Sequence, residues 1–472
     1  MTATRLALAD LRDSWSAWLA VSLTFIATCA AVGLCALGLA STLADSTLAV
    51  DSDGGDPRLL FLVSSGFNLV ITSCVAMAVI GSSVGLVVTS RRAAFARLLL
   101  AGAAPAQVVR ALAVQLVVVT ALCSLIGNAI AVLLQPPVLR AIAEDRGYQA
   151  PTPIISPVAL LATSVCCVVL AVAGGLRQSI RATKIPPVEG LRAASGAPER
   201  RTSTWRHALR IGFLVLCLAV VAVAVVGFLN RAEEIGEDAQ STLMQVAFYS
   251  LPVAGLGLAV AAPTLAAPLT RLWTRLLPVP GPAWHLTRHT VAARADRLVK
   301  SVVPVMFSVG LVFGMMMLTD TLTRTMALNG FTDLEGTSIT SLMSLIGLPL
   351  TVAVAGSVGN LVMMSRQRDA ELALGGVIGA TPAQQHLLPA LEGTVVVGTA
   401  ALLGLIMATV PALVLMVGMR HAFARTAFGF PIESLVVVLA LTWLITVAAA
   451  LLPSLPSLRR PAPPVLARLV AS

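Results

Sequence analysis

Apolar stretches of 19 residues or more recur ten times along this chain, and all but one of them hold no charged residue. An α-helix rises 1.5 Å per residue, so each stretch can cross a hydrocarbon core of about 30 Å. The stretches lie at 15–40, 60–89, 111–135, 155–176, 211–229, 243–270, 301–319, 338–364, 387–418 and 434–455. Hydrophobic residues make up 57% of the chain and charged residues 11%, against roughly 25% charged in soluble domains. Mean hydropathy is +0.91. These features predict an all-α integral membrane protein of about ten spans, with little chain left for a separate soluble domain.

A formal charge of +10 raises the question of nucleic acid, which its distribution answers. With the N-terminus inside, 25 of the 32 Lys and Arg residues and seven of the 22 acids fall in cytoplasmic segments. The opposite segments hold seven basic residues and 14 acids, among them Asp45, Asp51, Asp53, Asp56, Glu233, Glu234, Glu237 and Asp238. This is the positive-inside asymmetry that sets orientation, so both termini are expected in the cytoplasm and no nucleic-acid partner is expected. Arg outnumbers Lys by 30 to two, a composition that suggests a GC-rich bacterial genome and a bacterial cytoplasmic membrane.

Catalytic and redox chemistry find little support. All seven cysteines (Cys29, Cys35, Cys74, Cys123, Cys166, Cys167 and Cys217) lie within proposed spans, which suits small packing residues better than an extracellular disulfide framework. Five scattered histidines make no metal cluster. A phosphate-binding loop needs G-x-x-x-x-G-K-[ST], and neither Lys184 nor Lys300 stands in that setting. No catalytic residue, metal or bound cofactor is therefore expected, and any ATP with its Mg would sit on a partner.

An internal repeat organises the chain. Gly102-Ala103-Ala104-Pro105-Ala106-Gln107 matches Gly379-Ala380-Thr381-Pro382-Ala383-Gln384 at an offset of 277 residues. The same register pairs Arg91 with Arg368, Gln115 with Glu392, Gly127 with Gly404, and Pro186-Pro187-Val188 with Pro463-Pro464-Val465. Each copy holds four spans, and six spans separate equivalent points, so the copies share one orientation. Such parallel repeats are related by an axis along the membrane normal. The expected division is a first module at 1–192, a linker with two spans at 193–283, and a second module at 284–472. The second and eighth spans are long: Leu59–Ser90 holds 32 residues without a charge and Gly336–Ser365 holds 30. Their excess is expected to project beyond the outer surface.

The segments after those two spans carry the most information. Arg91–Leu100, including Arg97, and Arg368–Val377, including Glu371, look helical until Gly102 and Gly379 break them. Pro105 and Pro382 then stand where a proline can begin a helix, here expected to be a short one on the membrane surface. Two such elbows in register could transmit force from a soluble partner to the flanking spans. Glu392 lies inside a span, one to two turns from the cytoplasmic edge, at the position of Gln115 in the first copy. Intramembrane ionisable groups are functional candidates, and a structural hydrogen bond near the elbow competes with that reading. Asn68, Asn128 and Asn360 are expected to donate between helices. Pro252, Pro263, Pro304, Pro349 and Pro411 lie within spans, where they could break helices.

Arg368, Glu371, Ala373, Leu374, Gly379, Ala380 and Thr381, with Pro187-Val188-Glu189-Gly190-Leu191-Arg192 downstream, resemble motifs of the FtsX-like permeases of ABC transporters. The first copy departs from the pattern at Ala94 and Ala104, and the second at Gly376. The resemblance implies a permease whose elbows (Arg91, Arg97, Gly102, Ala103, Pro105 and Gln107; Arg368, Glu371, Gly379, Ala380, Thr381, Pro382 and Gln384) dock two copies of a cytoplasmic ATPase. It implies export or extraction of an amphipathic molecule such as an antimicrobial peptide, lipid or drug. Alternatives are a permease that signals to an extracytoplasmic partner without transport, and an ion-driven secondary transporter. The two-module layout is similar to permeases of the bacitracin-resistance type, without their large extracellular domain. The charge distribution makes the orientation testable. Single cysteines at positions 91, 181, 294 and 368 should resist a membrane-impermeant thiol reagent in intact cells, whereas those at 53 and 234 should react. Labelling at 181 or 368 from outside would overturn the parallel arrangement.

Overall fold

Hydrocarbon offers a peptide group no hydrogen-bond partner, so a chain that crosses it must satisfy its backbone internally. The computed structural model describes residues 15–45, 57–91, 95, 98–100, 102–146, 149–183, 204–235, 239–277, 281–293, 295–331, 339–367, 379, 381–423 and 425–454. Its helices are α1 (Trp15–Ala44), α2 (Pro57–Ser90), α3 (Pro105–Arg146), α4 (Pro157–Thr183), α5 (Thr204–Ile235), α6 (Ala239–Leu276), α7 (Pro282–Ala293), α8 (Ala295–Leu328), α9 (Ile339–Gln367), α10 (Pro382–Met419) and α11 (Ile432–Leu451). All but α7 are long and apolar enough to cross a membrane, ten in number, and no strand occurs among the described residues. The protein is an all-α integral membrane protein.

Proline and glycine punctuate these helices. Five of them, α2, α3, α4, α7 and α10, begin on a proline, whose missing N–H belongs to a position with no intrahelical acceptor anyway. Prolines inside helices at 252, 263, 304, 349 and 411 leave their helices continuous. Pro136-Pro137, just past the expected end of the third span, also lie within α3. One expectation is corrected. Pro105 and Pro382 do not open short surface helices; they open the spans α3 and α10, 42 and 38 residues long. A proline at the first position imposes no stop, and no glycine or proline occurs within the next 20 residues of α3 to supply one.

The two copies share one packing scheme. In each, the first and third spans (α1 with α3, α8 with α10) pack along their lengths, and the fourth lies at the periphery. The repeat glycines permit the first contact. A Cβ on Gly127 would lie 2.7 Å from Cys29 Cβ and 3.0 Å from the Ala30 nitrogen, and one on Gly404 3.1 Å from Val309. On the acidic face, each copy ties the extended segment before its fourth span to the end of its first. Thr152 donates from N and Oγ1 to Asp45 Oδ2 (2.8 and 3.0 Å), and Ile154 N donates to Ser41 Oγ (3.0 Å). In the second copy, Gly429 N donates to Thr321 Oγ1 (3.1 Å) and Ala427 N to Thr325 Oγ1 (3.2 Å). Thr152 and Gly429 stand 277 positions apart.

The linker pair breaks the symmetry. α6 packs on α10 and α8 more than on α2, and α5 packs chiefly on α6. The main apolar core accordingly gathers Leu251, Met306, Phe307, Val352, Val395 and Met407, all buried, from four helices. α8 becomes the most enclosed span. Glycine substitutions should read out this packing. Gly127→Val and Gly404→Val should each destabilise the detergent-solubilised protein by about 1–3 kcal/mol, the range of overpacked cores. Gly127 should be the more sensitive, because backbone atoms lie closer to its would-be Cβ, Ile26 O at 2.9 Å against Gly310 N at 3.2 Å for Gly404. Gly66, with nothing within 4 Å of its would-be Cβ, should tolerate Ala in the same thermal-unfolding assay.

Candidate functional site: the elbows and the seam between modules

The repeated six-residue motif has a local physical meaning. Gly102 adopts φ +92°, a left-handed conformation in which side chains are disfavoured. Its N–H donates to Leu99 O (3.1 Å) while Ala103 N–H donates to Leu98 O (3.0 Å). That bond pair is the glycine-terminated helix end known as the Schellman motif. Two residues later the next helix opens on Pro105, and Gln107 Oε1 accepts from Ala104 N (3.0 Å). In the second copy Gly379 has φ +103° and Gln384 Oε1 accepts from Thr381 N (3.0 Å). There Thr381 Oγ1 returns the bond from Gln384 N (3.3 Å), completing a capping box. Gly, Pro and Gln in this spacing thus specify a tight helix–turn–helix reversal in the first copy, and the described part of the second, left-handed Gly379 and the capped start of α10, repeats its geometry. Arg97, Arg368, Glu371 and Ala380 lie outside the described residues.

The first elbow is rooted in its module. Arg91 is buried, and its Nη1 donates to Gln115 Oε1 at 2.7 Å, a charge-assisted bond. Its guanidinium carbon lies 5.7 Å from the Trp18 ring centroid, within cation–π range. Phe95 is buried in the same cluster as Trp18, Leu112 and Leu116, with Leu98 and Leu99 packed against it. Gln115, expected as an intramembrane polar residue, is therefore the acceptor that ties the end of α2 to α3. Glu392, its counterpart on α10, is half-buried.

A second polar constellation joins the modules just inside the elbows. Ser83 Oγ on α2 donates to Asn360 Oδ1 on α9 at 2.8 Å. Asn360 Nδ2 donates to the Lys300 carbonyl (2.7 Å) and Ser82 Oγ (3.2 Å). Lys300 Nζ, from α8, reaches back to Gly85 O (3.0 Å) and Thr89 Oγ1 (3.2 Å) on α2. Ser83 and Asn360 are 277 residues apart, the repeat offset itself. Equivalent positions that touch each other mark a two-fold contact, so the pseudo-two-fold axis passes between α2 and α9 at this pair. Asn68 Nδ2 donates to Ser344 O (3.0 Å) across the same two helices, and Asn128 Nδ2 to Ser164 Oγ (2.8 Å) within the first module. Ser82, Ser83 and Lys300 were not among the sequence-derived candidates. A signal existed: Ser83 and Asn360 are polar residues at one repeat position, each inside an uncharged run of about 30 residues.

Among the described residues no group of three or more His, Cys, Asp or Glu could hold a metal, and the cysteines are free. Residues 66–187 match the family described as FtsX-like permease C-terminal. This stretch is an FtsX-like permease domain. It runs from inside α2 through the first elbow, α3 and α4 to Pro187, where the Pro187–Arg192 motif begins, and covers about a quarter of the chain. No curated protein sequence matches the chain. The matched stretch contains Arg91, the Gly102–Gln107 turn, Gln115 and Ser83, so the first elbow and the α2 side of the seam lie within it, whereas Asn360 and Lys300 lie outside it. A double-mutant cycle tests the seam. Ser83→Ala and Asn360→Ala should each lower thermal stability, and their effects should be non-additive by about 0.5–2 kcal/mol, the span of interhelical hydrogen bonds in membranes. Additive effects would place the two side chains in separate environments.

Proposed function

We propose that this chain is the membrane subunit of an ATP-driven ABC transporter of a bacterial cytoplasmic membrane, working with two copies of a separate cytoplasmic ATPase. The observation that carries the proposal is the pair of matched Gly–Pro–Gln motifs between the second and third spans of each module, with a left-handed glycine and a glutamine-capped helix start in both. The first is anchored in an FtsX-like permease domain through Arg91 and Gln115. Both reversals lie on the basic face, which the charge distribution assigns to the cytoplasm. The modules are taken as 1–192 and 284–472, with 193–283 as the linker. ATP and Mg belong to the ATPase, since the sequence offers no phosphate-binding loop. Closure of the ATPase pair shifts the elbows, the elbows shift α2 and α9, and an amphipathic molecule leaves the membrane on the acidic side.

The test is co-purification of an ABC ATPase with the tagged chain from its native membranes. Gly102→Leu with Pro105→Leu, and separately Gly379→Leu with Pro382→Leu, distort the reversals. A side chain at a left-handed glycine costs about 1–2 kcal/mol. The spans should still insert, so membrane abundance stays normal while ATPase recovery and transport fall. If both double variants recover the ATPase as the parent does, the elbows are plain loops and the coupling reading fails.

A further inference from the structure

At the acidic face, where α5, α8 and α10 end and α6 begins, a groove of about 480 Å³, counted to its open mouth, is empty of side chains. Its floor is apolar and buried: Phe228, Leu243, Leu415 and Met419. Its mouth is polar and exposed, formed by Gln240 and His421. The exposed Arg420 stands between the lining residues Met419 and His421. Gly418 brings α10 against α6 at the floor, since a Cβ there would run into the Leu243 methyls. None of these residues takes part in the elbows or the seam.

We propose that this groove binds a phospholipid of the outer leaflet, its acyl chain on the floor and its phosphate at the mouth. Depth supports the apolar part: the floor lies within the last turns of the spans, at the height where acyl chains meet headgroups. Chemistry supports the polar part, because an amide, an imidazole and a neighbouring guanidinium all supply hydrogen-bond donors suited to ester and phosphate oxygens. An arginine here also runs against the acidic bias of this face. Net charge is not the selector, since the 230–238 connection carries four acids and one arginine. That the bound phospholipid represents the class of molecule moved rests on the transport reading above; the binding itself does not.

The test therefore uses the full chain without ATPase, in vesicles of phosphatidylethanolamine and phosphatidylglycerol doped with a phosphatidylcholine that carries a diazirine at its acyl end. Photolysis and peptide mapping should concentrate label on 228–244 and 415–423. Ala239→Trp, from α6, and Ala422→Trp, from the turn after α10, each fill the groove and should bring that label down to the level of other lipid-facing spans. Membrane abundance of both variants is measured alongside. A diacylglycerol probe without phosphate should label the groove about threefold less, the size of an exposed charge contact, and Arg420→Ala should remove that difference. Uniform labelling of all lipid-facing spans, or undiminished labelling in a well-inserted Trp variant, overturns the site. Equal labelling by the two probes in the parent chain overturns its phosphate part. Loss of ATPase co-purification in elbow variants leaves every one of these outcomes unchanged, so the two proposals fail separately.

Discussion

The exclusion of water from the hydrocarbon core governs this structure. It forces each span to close its own backbone hydrogen bonds, which leaves only three places for specificity. They are the helix ends, the close approaches allowed by small residues, and the few polar side chains that face another helix. The repeat uses all three in register. Gly102 and Gly379 both take the left-handed conformation ahead of a proline-led helix, Gly127 and Gly404 admit the first span of their modules, and Ser83 meets Asn360 on the axis. A shift of one residue along α2 would carry Ser83 off that axis by about 100° of helix rotation, exposing two side-chain oxygens to an apolar neighbour. The pair therefore holds register as well as contact.

The spans were legible because lipid reads composition, and composition is what hydropathy measures. Predicted limits such as 60–89 and 387–418 fall inside α2 and α10. The repeat axis was legible too, through five identities in six residues at one offset. Two features were not. Pro105 was read as opening a surface helix, because a proline after a glycine marks a start without marking a length. Asn360 was expected to donate between helices and does so, but its partner was passed over because one serine in an apolar run reads as a small packing residue; only the partner helix shows that Ser83 needs Asn360. Lys300 was weighed as a possible phosphate-binding lysine and set aside, yet it closes the seam by reaching Gly85 O and Thr89 Oγ1. Pairings across helices far apart in sequence carry no local signature, whereas caps and breakers do.

The copies have diverged where their surroundings differ. Ala104 makes half a capping box and Thr381 makes a full one, so the second reversal is held by an additional bond. Gln115 is neutral where Glu392 carries a carboxyl. α6 covers α8 and α10, while no linker helix covers α1 and α3 to the same degree. The first and third spans of the second module, α8 and α10, are thus more enclosed than α1 and α3, and the first module presents more of α3 to lipid. A duplicated scaffold with one half clamped by the linker pair is mechanically unequal under a symmetric push.

That inequality bears on how motion would travel. Ser83 precedes Arg91 by eight residues, about 12 Å along α2, and Lys300 binds α2 between them. A displacement of the first elbow has no flexible stretch in which to dissipate before it meets α8 and α9. Arg91, held by Gln115 and Trp18, moves with α3 as well. The final two turns of α2 are accordingly bonded on one side to their own module and on the other to its partner. Hydrogen bonds of 2.7–3.2 Å weaken steeply with misalignment, so the seam cannot stretch gradually. Under load it either carries the second module along with the first or opens and re-forms elsewhere. Packed interfaces with two discrete arrangements of this kind convert small shifts at one site into whole-body movements. In this fold the interface most exposed to such a load is the one through which the repeat axis runs.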